Sequence, residues 1–260
     1  SVFAADPVLM KVRVYTDRGD EATKLQSMGF DGVYSTDKYA DVHVYAGELE
    51  KIERAGLRFE ILIEDVAAYY AETLAEYGTM GGYKTLAEIN AYLDDMIMSH
   101  PDIISEKISI GQSIEGRDLW AVKISDNPDI DEDEPEIFFN SLIHANEPAT
   151  AECLLYFMDF ITDNYGIDPE ATFIVDNREV WVVLVINPDG YYYNEVTYPD
   201  GGGTWRKNRR DNPDNSYGVD LNRNFSYMWA YDDEGSSPTY RDGNYRGEAP
   251  FSEPETQAIR

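Results

Sequence analysis

Cysteine is almost absent: the 260-residue chain has one, Cys153, so no disulfide can form within it. Cys153 lies in AECLLYFMDFI, among apolar residues at helical spacing, and reads as a small buried core residue rather than a nucleophile. Long apolar runs are missing as well. No stretch approaches the roughly 20 apolar residues that a membrane-spanning helix needs, so a membrane is not expected as a partner. Basic residues are scarce: 21 Lys and Arg stand against 50 Asp and Glu, a formal net charge of −29. Such a surface favours solubility and argues against nucleic acid as a partner. It also suits calcium, which charge alone does not decide. Histidine is rare too, with three in all: His43, His100 and His144.

What is present divides into two units. The chain starts SVFAADP, without an initiator Met. Val2 and Ala4 fit the small-residue pattern before a signal-peptidase cut following Ala4, and an arbitrary start would read the same. The expectation leans to a secreted protein, with residues 1–7 a leader remnant or tail. Residues 8–75 read as a small α+β unit. MKVRVY alternates as a half-buried strand should, EATKLQSMG is a short helix, and GVYS and ADVHVYA are two further strands. ELEKIERAG places Leu49 and Ile52 on one helical face, and RFEILIED alternates again. The order β-α-β-β-α-β predicts a ferredoxin-like sandwich. No catalytic constellation is visible in it, and His43 reads as a surface or sheet residue. EYGTMGG, 76–82, reads as a linker because its glycines interrupt both neighbouring patterns.

Residues 83–260 form the second unit. Thr85 and Glu88 have capping-box spacing, followed by Leu86, Ile89, Leu93 and Met96 on one helical face. Strands are expected at KISIG, LWAVKIS, EIFFNSLI and EVWVVLVI, with a long amphipathic helix over about 148–163 between the last two. Runs 137–143 and 180–186 are nearly continuously apolar, which predicts strands covered on both faces. The class is α/β, helices packed on a mixed, mostly parallel sheet. DNPDIDEDEPE reads as a solvated acidic loop; it lacks the glycine and spacing of an EF-hand, so calcium there is left open.

The chemistry gathers at strand ends. His144 and Glu147, in IHANEP, follow EIFFNSLI, and ligands in α/β sheets collect beyond the carboxyl ends of strands. The spacing lets an imidazole nitrogen and a carboxylate meet one cation, a donor set suited to zinc, although His-x-x-Glu alone is a common surface pair. INPDGY ends the next strand with an apparent tight turn. TWRKNRR concentrates Arg206, Lys207, Arg209 and Arg210 in an otherwise acidic chain, and GVDLNRNF adds Asn222 and Arg223 at the end of another expected strand. Arginine forks bind carboxylates bidentately, and a cation beside a polarised carbonyl stabilises an oxyanion. Metal plus anion clamp points to hydrolysis of a substrate with a free carboxylate.

With these motifs in place, the sequence resembles the zinc carboxypeptidases of the carboxypeptidase A/B type, most nearly the bacterial carboxypeptidase T group. The resemblance runs from about Tyr83 to Arg260 through YKTLAEI, GQSIEGRDLWAVKISDNP, HANEP, NREVWVVLVINPDGY, WRKNR, GVDLNRNF and YRGEAPFSEPET. Residues 8–75 also resemble the family's activation domain. The resemblance implies the first half of an eight-stranded-type carboxypeptidase sheet and one zinc ion. It makes His144 and Glu147 two zinc ligands, Arg206 the catalytic arginine that polarises the scissile carbonyl, and Asn222 and Arg223 the pair that grips the substrate's terminal carboxylate. The third ligand, a histidine, and the general-base glutamate would lie beyond Arg260, so the chain reads as a truncated precursor, inactive alone. Where the family commonly carries arginine between the two ligands, this chain has Asn146, which alters an outer substrate contact. Implied partners are peptide and protein C-termini and, as an intramolecular inhibitor, the chain's own activation domain, in a monomer. Rival readings are a related zinc amidohydrolase acting on cell-wall or side-chain amides, and a non-catalytic module that binds peptide carboxylates.

Overall fold

The computed structural model describes residues 8–16, 24–25, 28–74 and 78–260. The expected tail at 1–7, most of the helix expected over EATKLQSMG, and positions 76 and 77 lie outside the described residues.

The first unit is a four-stranded sheet made of β1 (Leu9–Tyr15), β2 (Asp31–Ser35), β3 (Tyr39–Tyr45) and β4 (Phe59–Ile63), with α1 (Leu49–Arg54) before β4 and α2 (Val66–Leu74) after it. The order is β2-β3-β1-β4 and every neighbouring pair is antiparallel. Alternation in β1 sends Met10, Val12 and Val14 to one face, where they meet Val42 and Val44 of β3 and Ile52 of α1. The strand order is the one expected of a split βαβ arrangement.

The second unit holds α3 (Leu86–Ser99), β5 (Ile108–Gln112), β6 (Asp118–Ile124), β7 (Glu136–Asn140), α4 (Ala149–Asp163), α5 (Pro169–Asn177), β8 (Glu179–Val183), α6 (Pro188–Thr197) and α7 (Pro254–Ile259). The capping box that opens α3 is formed: Glu88 N donates to the Thr85 hydroxyl and Thr85 N to the Glu88 carboxylate. The sheet order is β5-β6-β8-β7. The sheet is mixed, but among the described residues it is not mostly parallel. Only β7 and β8, joined through α4 and α5, run parallel; β5–β6 and β6–β8 are antiparallel. Connection length accounts for two of the pairs: the short Ser113–Arg117 turn returns β6 antiparallel to β5, and the helical crossover from β7 to β8 makes that pair parallel. The main core lies between this sheet and the inner faces of α3, α4 and α5.

Four local expectations need correction. β8 is covered, but β7 pairs along one edge only, and Phe138 and Phe139 are 46% and 38% exposed. Cys153 is exposed: α4 buries Ala151, Leu154, Leu155, Met158 and Ile161, and Cys153, Tyr156 and Phe160 fall on the opposite side. INPDGY does not close as a simple turn but starts α6, with Asn187 as its cap and Pro188 in its first turn. GVDLNRNF forms no strand; Asp220 caps a single 3-10 turn, Leu221–Arg223, by accepting from Asn222 N. The segment Thr79–Gly82 is docked rather than free. Met80 N donates to Pro199 O at 2.7 Å, and the Met80 side chain joins the main core. A side chain on Gly201 would collide with Gly81, which explains that glycine.

One buried ion pair ties β6 to β8. Lys123 Nζ lies 2.7 Å from Glu179 Oε1, both side chains almost fully buried, and Lys123 also donates to Ile130 O. Removing one partner strands the other charge. Glu179→Ala is expected to cost about 3–5 kcal/mol in urea unfolding, and the double variant Lys123→Met/Glu179→Leu clearly less.

Candidate metal and anion site

The site begins where β7 ends. The chain leaves the sheet at Leu142 with φ of 49°, and Glu147 N folds back onto His144 O at 3.2 Å. This tight turn ahead of α4 puts two side chains on one spot: His144 Nδ1 lies 3.0 Å from Glu147 Oε1. The other ring nitrogen, Nε2, lies 3.2 Å from Oδ1 of Asp220, a fully buried carboxylate. Asp220 Oδ2 takes Arg206 at 3.3 Å from Nη2 and 3.4 Å from Nε, and Arg206 Nη1 reaches Glu147 Oε1 at 3.6 Å. His144, Glu147, Arg206 and Asp220 therefore form one closed charge network.

Electrostatics follow from that closure. Burial alone would push the Asp220 carboxyl up, but Arg206 and His144 overcome it and hold the acid well below the usual carboxylate range. Burial works against a charge on His144, yet its bonds to Asp220 and Glu147 win and raise its pKa. Burial likewise opposes the Glu147 charge, and His144 and Arg206 together lower that pKa. Next to Arg206, Lys207 is buried with its ammonium on Tyr240 O and Asp242 O at 3.0 Å each; burial lowers its pKa to about 8.

The arginine loop is stitched to the turn that carries His144. Ala145 N and Asn187 Nδ2 both donate to Arg206 O, at 3.1 and 3.3 Å. Asn194, on α6, donates to Ala145 O at 3.0 Å and Trp205 O at 2.8 Å, and accepts from Trp205 N at 3.0 Å. Gly190 lets these segments meet, since a Cβ there would lie 2.7 Å from Lys207 O and 2.8 Å from Ala145 Cβ. The other two expected site residues lie further out. Asn222 is exposed, and Arg223 is half-buried with Nε on Gly235 O at 2.9 Å. Arg223 is still close enough to help depress the Asp220 pKa.

The first unit leans on this site. A chamber of about 30 Å³ is lined by Leu9, Phe30, His43 and Tyr45 from that unit and by Asn146 and Arg206 from the second. Lys51 of α1 reaches Asp242 at 3.3 Å. His43 is a sheet residue, paired in β3 with Lys11 and Asp31, and it also lines the chamber beside Arg206. His100 lies at the end of α3, 3.0 Å from Asp163, and takes no part in the site.

The donors fit zinc as far as they go. Both carboxylates on the ring only accept, but Asp220 is fully buried and Glu147 is partly exposed, so when His144 is neutral its proton stays on Nε2 toward Asp220 and Nδ1 presents a lone pair, the usual partnership of a metal-binding histidine and a carboxylate. Nδ1 and Glu147 Oε1 are then two acceptors 3.0 Å apart, an arrangement that needs a cation or a proton between them. A catalytic zinc normally has three protein ligands. The only group of three or more metal-capable side chains within ligand distance among the described residues is Asp131, Glu136 and Glu179, at the amino ends of β7 and β8 and not at this site.

Residues 89–260 match the zinc carboxypeptidase family, peptidase M14. The chain belongs to that family. A zinc carboxypeptidase of Saccharothrix mutabilis subsp. capreolus is 40% identical over 148 residues, 57% of this chain and 33% of that protein. Carboxypeptidase A1 of Rattus norvegicus is 33% identical over 224 residues, 80% of this chain and 50% of that protein. The chain thus spans half or less of the length of these zinc carboxypeptidase relatives. The crystal structure of carboxypeptidase A from Helicoverpa armigera matches 100% of this chain and 66% of its own, with a TM-score of 0.76 at 22% identity, a likeness of fold.

Sequence reasoning did not single out Asp220, Asn187 or Asn194. For Asp220 the local sequence gives no signal, since alternation between Val219 and Leu221 in GVDL would turn the acid outward. Nor did it find Glu255, which is fully buried and accepts from Asn208 Nδ2 at 3.2 Å. Burial raises its pKa to about 7, with Glu253 and Asp189 adding to the effect. A raised acid favours the folded state while protonated, so its contribution is complete below about pH 4.5 and is lost as pH rises to about 7. Glu255→Gln should flatten the fall in unfolding free energy across that window, by on the order of 3 kcal/mol, in urea titrations at stepped pH.

Proposed function

We propose that the chain serves a zinc-dependent metallocarboxypeptidase of the carboxypeptidase A/B type, nearest the carboxypeptidase T group, made as a secreted zymogen. It would remove C-terminal residues from peptides and proteins. The single observation that carries this reading is the pair of acceptors, His144 Nδ1 and Glu147 Oε1, held 3.0 Å apart beside Arg206. A third ligand and a general-base carboxylate would come from the part of the relatives' length that this chain does not span.

Zinc, when bound by His144 and Glu147, would supply an acidified water and a polarised carbonyl. The chain's own groups do the rest. Asp220 keeps the His144 ring turned with Nδ1 outward and neutralises Arg206 while no substrate is present. Arg206 presents its guanidinium to the scissile carbonyl oxygen and stabilises negative charge as it develops there. Arg223, with Asn222, receives the terminal carboxylate, which confines cleavage to the last peptide bond. The first unit, seated over Arg206 through the His43–Tyr45 chamber wall and Lys51–Asp242, would restrict access until it is removed.

With two protein ligands the 260-residue chain should bind zinc weakly or not at all in calorimetry at neutral pH; tight stoichiometric binding lost in His144→Ala would contradict the need for a third ligand. In a full-length version, Arg206→Ala should lower kcat by about 10²–10³-fold with a smaller change in KM. Arg223→Ala should chiefly raise KM, with partial recovery in Arg223→Lys, which keeps the charge but loses the fork. Equal cleavage of free-acid and C-terminally amidated peptides would instead favour a zinc amidohydrolase.

A further inference from the structure

Asn208 and Asn224 share an arrangement. Both are fully buried. Asn208 follows Arg206 by two residues, and Asn224 follows Arg223 by one. Both end on the same short segment, 252–256, at the start of α7. Asn208 Nδ2 donates to Glu253 Oε2 at 2.8 Å and Glu255 Oε2 at 3.2 Å, while its Oδ1 accepts from Val219 N at 2.8 Å. Asn224 Oδ1 accepts from Thr256 Oγ1 at 2.7 Å and Glu253 N at 3.2 Å, and its Nδ2 donates to Ser252 Oγ at 2.8 Å.

These bonds matter because regular secondary structure does not locate the two arginines. Between α6 and α7 the described chain has no α-helix and no multi-residue strand, only one 3-10 turn and isolated bridges. Direct ties between the two loops are few: Asn208 N to Val219 O, Gly218 N to Arg210 O, and Asp220, which pairs with Arg206 and caps the turn that carries Arg223. Both loops are further referenced, through one asparagine each, to the Ser252–Thr256 segment. Arg210 adds a second tie on the Arg206 side, its Nε donating to Glu253 Oε2 at 3.0 Å.

We propose that Asn208, Asn224, Glu253 and Thr256 form a buried ruler that fixes the separation of Arg206 and Arg223, and thereby the spacing between two oxygen groups that one ligand can present to them. The inference rests on the reading above, in which Arg206 meets a carbonyl oxygen and Arg223 a terminal carboxylate one residue away. These four are positioning residues: they touch neither partner of the ligand. A displacement of about 1 Å at such a site is enough to cost on the order of 10²-fold in a reaction that needs both contacts.

The test uses the 260-residue chain after a site-specific cut within 76–82 that releases the first unit, and a series of dicarboxylates, from malonate to adipate, measured by calorimetry. Two carboxylates joined by a spacer report the arginine separation without any turnover. The unmodified chain should prefer one length over its neighbours by about tenfold. Asn208→Ala and Thr256→Val should flatten that preference to about twofold or less. Thr256→Ser keeps the hydroxyl and should restore it. Thr256→Val removes one hydroxyl and keeps the shape, so it remains informative if Asn208→Ala fails to fold. A sharp, unshifted length optimum in folded Thr256→Val and Asn208→Ala proteins would overturn the ruler. Arg206→Ala and Arg223→Ala separate the two levels: each should abolish the length preference. Unaltered binding in both, or no saturable binding by the unmodified chain, would sink the shared anion site and the ruler with it.

Discussion

A carboxylate with no exposed surface sits between an imidazole and a guanidinium, and the geometry of the site depends on it. Taking a charge out of water costs several kcal/mol unless it is paired and hydrogen-bonded. Asp220 meets that condition with His144 on one oxygen and Arg206 on the other. Because it is the more deeply buried of the two carboxylates on the ring, it holds the proton of neutral His144 on Nε2. The lone pair of Nδ1 is then turned toward Glu147, and the half-site's demand for a cation follows. The same carboxylate orients Arg206 beside Glu147. One buried acid thus orients both the His144 ring and the Arg206 guanidinium.

The fold supports this acid from two directions. β7 delivers His144 at its carboxyl end, and β8 leads directly into Asn187 and α6. Asn187 and Asn194 then fasten the Ala145 backbone to Trp205 and Arg206, so the His144 turn and the arginine loop move as one body. Asp220 arrives from a third segment, whose backbone is tied to Asn208 through both groups of Val219. Long-range side-chain bonds thus take over where regular structure stops, which is why Asn187, Asn194, Asn208 and Asn224 are buried and bonded through both amide atoms.

Local patterns made much of this legible in the sequence. The capping box of α3, the span of α4 and the alternation of β1 each depend on residues a few positions apart, and they form as expected. His144, Glu147 and Arg206 were also readable, since their spacing or their basic setting is local, and the structure brings them together. What could not be read depends on distant partners. Asp220 bonds His144 across 76 residues, and nothing near it announces that. The expectations for Cys153 and β7 fail for one reason: an apolar residue is not always a covered one, because covering depends on what packs from elsewhere. The mostly parallel sheet failed similarly, because strand order is a property of the whole chain. The expected strand at GVDLNRNF gave way to a capped turn once Asp220 took the amide of Asn222.

The most direct measurement is the tautomer of His144, read from the ¹⁵N chemical shifts of its two ring nitrogens in metal-free protein. If Asp220 governs the site, neutral His144 carries its proton on Nε2, and Nδ1 shows the shift of an unprotonated nitrogen; Asp220→Asn relaxes that preference. A neutral ring protonated at Nδ1 in the unmodified protein would contradict the account, because the proton would then face Glu147 and an unprotonated Nε2 would oppose the buried carboxylate.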